Sequence, residues 1–216
     1  MLDKYKVVIF DWDGTVMDSI AHIVHCVQQA AIDNRLAVPD EASVRNIIGL
    51  SLPEAFLTLF GEDKSADFER FRDNYKDQYV KNDDITPPLF AHVPELLTGL
   101  LEKGIKLAVA TGKGRRGLDN AILRSGLGHF FSYSRTSDEA ASKPSPDMLI
   151  QISRFYGVSA AECLMVGDSI HDMKMAKNAN MDSIGVTFGA HQRERLLEAQ
   201  PTAIIDCYST AIGWLN

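Results

Sequence analysis

The chain has 216 residues, of which 45% are hydrophobic, and it carries a formal net charge of −7. This length and apolar content indicate an ordered protein with one sizeable core and a smaller module. An acidic chain lacks the basic face that nucleic acids and acidic membranes require, so neither is expected as a partner. Three cysteines without a C-x-x-C spacing are typical of free thiols in a reducing compartment. No signal peptide and no membrane-spanning run are recognisable. We therefore expect a cytoplasmic protein, present as a monomer or a weak homodimer.

The first predicted element is a buried strand that ends in two carboxylates. Four consecutive apolar residues, 7–10, are followed by Asp11, Trp12, Asp13 and a Gly turn. In a parallel sheet covered on both faces, ligands bind at the carboxyl ends of the strands. The two acids are therefore candidates for chemistry, although an Asp-Gly pair by itself is also a common surface turn.

Residues 17–85 show helical periodicity and no convincing strand, which predicts an all-helical insert. The third of its four helices is expected to begin at a capping box, Ser51 to Glu54. The apolar positions of the other three are Ile20, Ile23, Val24 and Val27, then Val44, Ile47 and Ile48, and finally Phe68, Phe71, Tyr75 and Tyr79. Residues 83–88, which combine Asp and Pro, are typical of a linker that leaves the insert.

From residue 93 onward, strands and helices alternate as in a doubly wound α/β domain. The predicted strands are 105–111, 130–133, 163–166, 183–187 and 203–205. The predicted helices contain residues 96–101, 118–126 and 146–156, and a second capping box spans 159–162. We therefore expect a Rossmann-like parallel sheet core formed by residues 1–16 and 86–216, with residues 17–85 as an inserted helical cap domain.

Two further strands of this core end in polar residues. Strand 105–111 ends in Thr111 and Gly112, and strand 163–166 is followed by Asp168 and then Asp172. Lys143 stands just before a helix that is expected to have Ser145 as its N-cap. Because the carboxyl ends of parallel strands meet at one edge of a sheet, these side chains are expected to lie together.

These segments resemble, in order and approximate spacing, the four motifs of the haloacid dehalogenase superfamily. The segments are Asp11 to Thr15, Thr111, Lys143, and Gly167 to Asp172. The chain is most similar to the phosphoglycolate-phosphatase-like branch, from which it departs at two points. Asn180 stands where this branch usually has Gly, and Ala91-His92 replaces a usual Pro-Gly. Asn tolerates the left-handed conformation at a helix end, so neither departure affects the site.

The residue types fit the hydrolysis of a phosphate monoester. A carboxylate can add to phosphorus and leave again, and Asp11, the first acid after the strand, is the candidate nucleophile. Asp13 has a carboxyl that can protonate the leaving oxygen and later deprotonate water. The phosphoryl oxygens can be held by the Thr111 hydroxyl, the backbone N–H groups of Trp12 and Gly112, and the Lys143 ammonium.

The resemblance also implies a magnesium ion. It assigns the ligands to the carboxylates of Asp11 and Asp168 and to the backbone carbonyl of Asp13. Mg²⁺ prefers oxygen ligands, retains several waters and reduces the repulsion between a carboxylate and a phosphoryl group. Asp172 is expected to support the ion through water.

Two basic features remain open. Lys113, Arg115 and Arg116 lie where a helix should begin, and their charges oppose its dipole. Either a nearby anion explains them or they form a solvated patch. Arg45 lies in the segment that, by the resemblance, faces the substrate in related caps, but an ordinary surface arginine would also fit.

We therefore expect a Mg²⁺-dependent phosphatase of a small phosphorylated metabolite, phosphoglycolate-like or a sugar phosphate, that acts through an aspartyl phosphate. A sugar phosphomutase would use the same core. A hydrolytic dehalogenase of this fold needs no metal and usually lacks the second acid, so Asp13 argues against it. A receiver-like phosphoryl-binding domain would have neither a helical cap nor a use for a leaving-group acid.

Overall fold

A computed structural model describes residues 2–81 and 87–215. Within these residues, six strands form one parallel sheet in the order β3-β2-β1-β4-β5-β6. The strands are β1 (Val7–Phe10), β2 (Lys106–Thr111), β3 (Tyr133–Thr136), β4 (Cys163–Gly167), β5 (Asp182–Val186) and β6 (Ala203–Ile205). This arrangement confirms the predicted doubly wound α/β core.

Helices cover both faces of the sheet and also form the insert between β1 and β2. They are α1 (Ile20–Asp33), α2 (Glu41–Ile47), α3 (Leu52–Phe60), α4 (Phe68–Lys81), α5 (Val93–Glu102), α6 (Arg115–Ser125), α7 (Asp147–Tyr156), α8 (Ile170–Asn178), α9 (Arg193–Leu197) and α10 (Tyr208–Gly213). Short 3₁₀ turns lie at Glu62–Asp67, Leu127–His129 and Ala160–Glu162. In the described part of the chain, no helix has the length and apolar character needed to cross a bilayer.

The two faces of the sheet explain why β1 is apolar at every position. Val8 and Phe10 pack with α5, α6 and α10, whereas Val7 and Ile9 pack with α7 and α8. A strand that is buried on both faces loses the alternation of polar and apolar residues that an exposed face would impose. The acids that follow β1 are thus placed at the carboxyl edge of the most central part of the sheet.

Helices α1 to α4 have an apolar core of their own. Phe56 lies at its centre, with ring centroids 4.9 Å from Phe60, 5.5 Å from Phe68 and 5.1 Å from Phe71. The apolar stripes predicted for the insert belong to this cluster. Of the predicted linker, residues 83–86 lie outside the described residues, and the predicted domain boundaries of 17–85 and 86–216 stay predictions.

The strand predicted at residues 130–133 is wrong by three residues. The N–H of Phe130 closes a turn onto the carbonyl of Leu127. The ring of Phe131 packs edge-on against Phe10 and Trp12, at 6.3 Å and 5.9 Å between centroids. Because these two residues fill a turn and the core, pairing with β2 begins only at Tyr133.

The helix ends agree with the sequence analysis in part. Ser51 accepts a hydrogen bond from the Glu54 N–H at the start of α3, as predicted. The capping box at residues 159–162 is present but opens only a 3₁₀ turn. Helix α7 has Pro146 as its N-cap, one residue later than predicted. Asn180 adopts the predicted left-handed conformation, with φ of 55°.

Candidate active site

Three buried carboxylates meet at the carboxyl edge of the sheet. Asp11 follows β1, Asp168 follows the adjacent strand β4, and Asp172 lies in the first turn of α8. One oxygen from each lies within 4.8 Å of the others. Three acids this close in a buried site repel one another, so a compensating positive charge is required.

The Asp11 carboxylate is held at one oxygen only. Its Oδ1 accepts a hydrogen bond of 2.7 Å from the backbone N–H of Trp12 and lies 2.9 Å from the Lys143 ammonium. Its Oδ2 is buried and has no hydrogen-bond partner among the described residues. Burial raises the pKa of this carboxyl, Lys143 opposes the rise, and the Asp172 carboxylate adds to it. One oxygen is therefore fixed while the other is left for a bound ion or substrate.

Asp168 is enclosed by backbone. Its Oδ1 accepts a hydrogen bond from the Thr15 hydroxyl at 2.9 Å, and its Oδ2 accepts one from the Ala190 N–H at 2.6 Å. Gly14 and Gly189 pack so closely that a Cβ on either would collide with this carboxylate. Burial raises the pKa of Asp168 well above its usual range, and the neighbouring acids raise it further.

Lys143 supplies the compensating charge. Its side chain is fully buried, and its Nζ lies 2.6 Å from Asp172 Oδ1 as well as 2.9 Å from Asp11 Oδ1. Burial lowers the pKa of Lys143, but the two carboxylates outweigh that effect and raise it above its usual value. The other oxygen of Asp172 accepts hydrogen bonds from the N–H and hydroxyl of Ser169, in the capping box of α8. The lysine therefore stays charged and in place.

The donor set fits a hard divalent cation. Asp11, Asp168 and Asp172 present three carboxylates against the single ammonium of Lys143, which leaves a net negative charge in a buried space. Every candidate ligand atom is an oxygen, and one of them is unpartnered among the described residues. Mg²⁺ prefers oxygen ligands of this kind. The predicted contribution of the Asp13 carbonyl stays a prediction.

Asp13 pairs with a lysine that the sequence analysis did not assign to it. The Oδ1 of Asp13 accepts a hydrogen bond of 2.7 Å from the Ser19 hydroxyl. Its Oδ2 lies 3.0 Å from the Nζ of Lys113. The position of Lys113, two residues after Thr111 at the end of β2, could have predicted this contact because β1 and β2 are adjacent.

Of the other two basic residues of this segment, Arg115 contacts the chain's own carboxylates. The Arg115 N–H at the start of α6 donates to both oxygens of Asp138, at 3.0 Å and 2.9 Å. Its guanidinium pairs with Asp119 and Glu139. Carboxylates of the same chain therefore account for Arg115. Arg116 is exposed.

The other three of the four predicted phosphoryl-binding groups lie at the same edge as Lys143. The Thr111 hydroxyl is buried and accepts a hydrogen bond from the Lys113 N–H. The N–H of Trp12 points to the Asp11 carboxylate. Gly112 packs closely against the cap. A Cβ at this position would lie 2.5 Å from the carbonyl oxygen of Gly49 and closer still to that of Leu50, which is too close for a side-chain carbon. Their roles toward a phosphoryl group stay predictions.

The connection between α2 and α3 rests directly on this edge. The backbone N–H of Ser51 donates to the hydroxyl of Ser142, the residue before Lys143, at 2.9 Å. The carbonyl of Asn46 lies 2.9 Å from Nε2 of His171, the residue before Asp172. The cap therefore touches the core immediately beside the buried acids.

Arg45 lies on the same boundary. Its Nε pairs with Glu41 at 2.8 Å within α2, and its Nη1 donates to the carbonyl of Gly189 at 3.3 Å. Gly189 in turn packs on Asp168. Gly189 thus lies between Arg45 and Asp168, and the Arg45 side chain keeps 37% of its surface exposed. The predicted contact with substrate stays a prediction.

Comparison with known proteins decides the family. The profile described as haloacid dehalogenase-like hydrolase matches residues 8–186, which include the acids, Thr111 and Lys143. The chain belongs to this family. The resemblance inferred from the four motifs is thereby confirmed.

Two relatives match nearly the whole chain. The protein named Probable phosphatase IndB, from Dickeya dadantii, is 37% identical over 95% of this chain and 91% of its own length. The phosphoglycolate phosphatase of Pectobacterium atrosepticum is 29% identical over 93% of this chain and 88% of its own length. These names confirm the predicted enzyme class, a phosphatase. The crystal structure of a hydrolase from Pseudomonas syringae has a TM-score of 0.85, covers 97% of both chains and is 22% identical, which shows a shared fold.

Proposed function

We propose that this protein is a Mg²⁺-dependent phosphatase of a small phosphorylated metabolite that acts through an aspartyl-phosphate intermediate. The observation that carries the proposal is the Asp11 carboxylate, which is buried, held at Oδ1 by Trp12 and Lys143, and unpartnered at Oδ2 among the described residues. A nucleophile that is fixed in direction but open at one oxygen needs little reorganisation before it attacks.

The reaction proceeds in two displacements. A carboxylate oxygen of Asp11 bonds to phosphorus while the bond from phosphorus to the leaving oxygen breaks, and Asp13 gives that oxygen its proton. The alcohol departs and leaves an acyl phosphate on Asp11. Asp13, now a carboxylate, takes a proton from water, which attacks phosphorus and releases inorganic phosphate and the free Asp11 carboxylate. Proton count and charge are then restored for the next cycle.

The other buried groups hold the charge that the phosphoryl group carries. We expect the Lys143 ammonium and the Thr111 hydroxyl to stabilise its oxygens, together with the N–H groups of Trp12 and Gly112. Asp11, Asp168 and the Asp13 carbonyl would hold the ion, and Asp172, which pairs with Lys143 and Ser169, would support it through water. A bound Mg²⁺ would reduce the repulsion between the nucleophile and the phosphoryl oxygens.

The substrate is proposed to be phosphoglycolate-like or a sugar phosphate. The name of one relative supports the first choice. The closeness of the cap backbone to Gly112 supports a small leaving group, since little space is left between cap and core at that point.

The first test is a panel of phosphorylated metabolites and p-nitrophenyl phosphate, with phosphate release as the readout. Asp11→Asn should lower turnover of every substrate by at least about 10³-fold, because the amide keeps the shape but loses the nucleophilic charge. Circular dichroism should show an unchanged fold. Asp77→Asn, at an exposed position of α4, is the matched control and should retain full turnover.

Three outcomes would contradict the proposal. Turnover by Asp11→Asn close to that of the native protein would exclude the aspartyl phosphate. Isomerisation of a hexose phosphate that depends on a bisphosphate, without phosphate release, would show a mutase. Release of halide from a haloacid with no added metal would show a dehalogenase.

A further inference from the structure

The Asp13 carboxylate is held at both oxygens. The Ser19 hydroxyl, at the start of α1, donates to Oδ1, and the Lys113 ammonium lies 3.0 Å from Oδ2. The side chains of Lys113 and Asp13 retain only 10% and 12% of their exposure. A carboxylate with two fixed partners has one direction in which it can point.

The same ammonium also touches the cap. Its Nζ lies 3.1 Å from the hydroxyl of Tyr79 on α4 and 4.7 Å from the centre of that ring. The backbone of Lys113 is anchored in the core, where its N–H donates to the Thr111 hydroxyl. One side chain therefore joins an acid at the sheet edge to a helix of the insert.

The ammonium of Lys113 and the carboxylate of Asp13 form a nearly buried ion pair, 3.0 Å apart. Removing the lysine would leave a nearly buried carboxylate without its cation, which is costly. The contact is therefore a fixed part of this closed arrangement.

We propose that Lys113 is a positioning residue for Asp13, and that its contact with Tyr79 couples this positioning to the cap. The inference rests on the proposed function, in which Asp13 transfers protons. Ser19 and Lys113 fix the direction of the Asp13 carboxyl group, and a small error in that direction would slow the proton transfers to the leaving oxygen and from water. If α4 moved away from the core, Lys113 would lose its contacts with the hydroxyl and ring of Tyr79 and would be held by Asp13 without them. On this proposal, proton transfer by Asp13 is efficient only while the cap covers the site.

Lys113→Met tests the positioning role by a difference between leaving groups. p-Nitrophenyl phosphate needs little protonation of its leaving group, whereas the best alkyl phosphate of the panel needs much. We expect kcat to fall at least about tenfold more on the alkyl phosphate, with KM little changed. Equal losses on both substrates, or a loss confined to KM, would overturn the inference, because the lysine would then have a general or substrate-binding role.

A double-mutant cycle with Asp13→Asn tests whether Lys113 acts through Asp13. Once Asp13 is an amide, Lys113→Met should have no further effect on the alkyl phosphate, since the two residues act as one unit. If Asp13→Asn by itself shows the difference between leaving groups, additive losses in the double variant would overturn the role of Lys113 and leave the proposed function standing. If Asp13→Asn shows no such difference, the proposed function fails together with the inference.

Tyr79→Phe tests the coupling to the cap and does not depend on the stability of Lys113→Met. This variant keeps the ring of Tyr79 and the charge of Lys113 but removes the hydroxyl. We expect kcat to fall about two- to fivefold more on the alkyl phosphate than on p-nitrophenyl phosphate, as for one lost hydrogen bond. No preference would overturn the coupling. Lys106→Met, at the exposed first residue of β2, is the control and should match the native protein.

Discussion

The buried acid cluster and the cap boundary differ in the groups that form them. In the acid cluster of Asp11, Asp168, Asp172 and Lys143, the lysine pairs with Asp11 and Asp172 at 2.9 Å and 2.6 Å. One oxygen of each acid lies within 4.8 Å of the others. At the cap boundary, the cap contributes backbone groups, the N–H of Ser51 and the carbonyls of Asn46, Gly49 and Leu50, as well as side chains.

This difference separates two kinds of requirement. Replacing Lys143 would leave buried acids without their cation, and replacing an acid would change the charge of the cluster. We therefore expect the chemistry to depend on the identity of each residue. Backbone contacts are made by almost any residue that keeps the local conformation. At these points the position of the cap depends on close approach between the backbones of the two parts, and we propose that cap side chains select the substrate.

Asp168→Asn should have the largest effect of the three changes that distinguish these regions. An amide removes one negative charge from the candidate metal site and presents an N–H₂ group to the Thr15 hydroxyl or the Ala190 N–H, which are both donors. We expect the affinity for Mg²⁺ alone, measured by isothermal titration calorimetry, to fall at least about 100-fold. Turnover should be lost with it.

Chelation provides the matching experiment on the native protein. Excess chelator should abolish phosphate release, and added Mg²⁺ should restore it, whereas Ca²⁺ should not, because it favours more ligands and looser geometry. Asp77→Asn should bind Mg²⁺ as the native protein does. Unchanged Mg²⁺ affinity in Asp168→Asn, or full turnover in chelator, would show that the acid cluster is not the metal site.

Gly112→Ala should have an intermediate effect and should act through the cap boundary. A Cβ there would collide with the carbonyl oxygens of Gly49 and Leu50, so the cap must lift from the core. Misplacement of about 1 Å near a reacting centre costs roughly 100-fold, and we expect kcat/KM to fall by about that factor. The acid cluster itself is untouched, so Mg²⁺ affinity should be retained.

A glycine in open space provides the control for that substitution. Gly213 has no heavy atom within 4 Å of the position that a Cβ would take. Gly213→Ala should therefore leave kcat/KM unchanged. Hydrogen exchange of residues 46–51 should accelerate in Gly112→Ala and not in Gly213→Ala; equal exchange in both would show that close packing at Gly112 does not hold the cap.

The sheet core and the acid cluster were predictable from the sequence for a local reason. Strands β1, β2 and β4 each contain a short apolar run, and a recognisable polar group ends or follows each run: Asp11, Thr111 or Asp168. Parallel strands bring those ends to one edge, so proximity follows from topology without knowledge of side-chain packing. The carboxylates therefore meet as expected, although their catalytic roles stay predictions.

The partners of individual side chains were not predictable in the same way. Lys113 was grouped with Arg115 and Arg116 because they are neighbours in sequence, yet the first pairs with Asp13 and the second with Asp119 and Glu139. The strand at 130–133 failed for a related reason, since the Phe131 ring is used in the core instead of in a strand. Such contacts carry no periodic pattern along the chain.

Arg45→Ala should have the smallest effect, and it tests whether cap side chains select the substrate. The guanidinium is partly exposed, and its pair with Glu41 contributes about 0–1 kcal/mol at most, so the melting temperature should hardly change. If Arg45 holds the non-reacting end of the substrate, kcat/KM for the best metabolite should fall about tenfold, as for one charged hydrogen bond. p-Nitrophenyl phosphate, which offers the cap little to bind, should be unaffected.

Arg72→Ala, at a similarly exposed and ion-paired arginine of α4, is the control and should leave kcat/KM unchanged for both substrates. Equal changes for both substrates in Arg45→Ala, or none, would place the specificity determinant elsewhere in the cap.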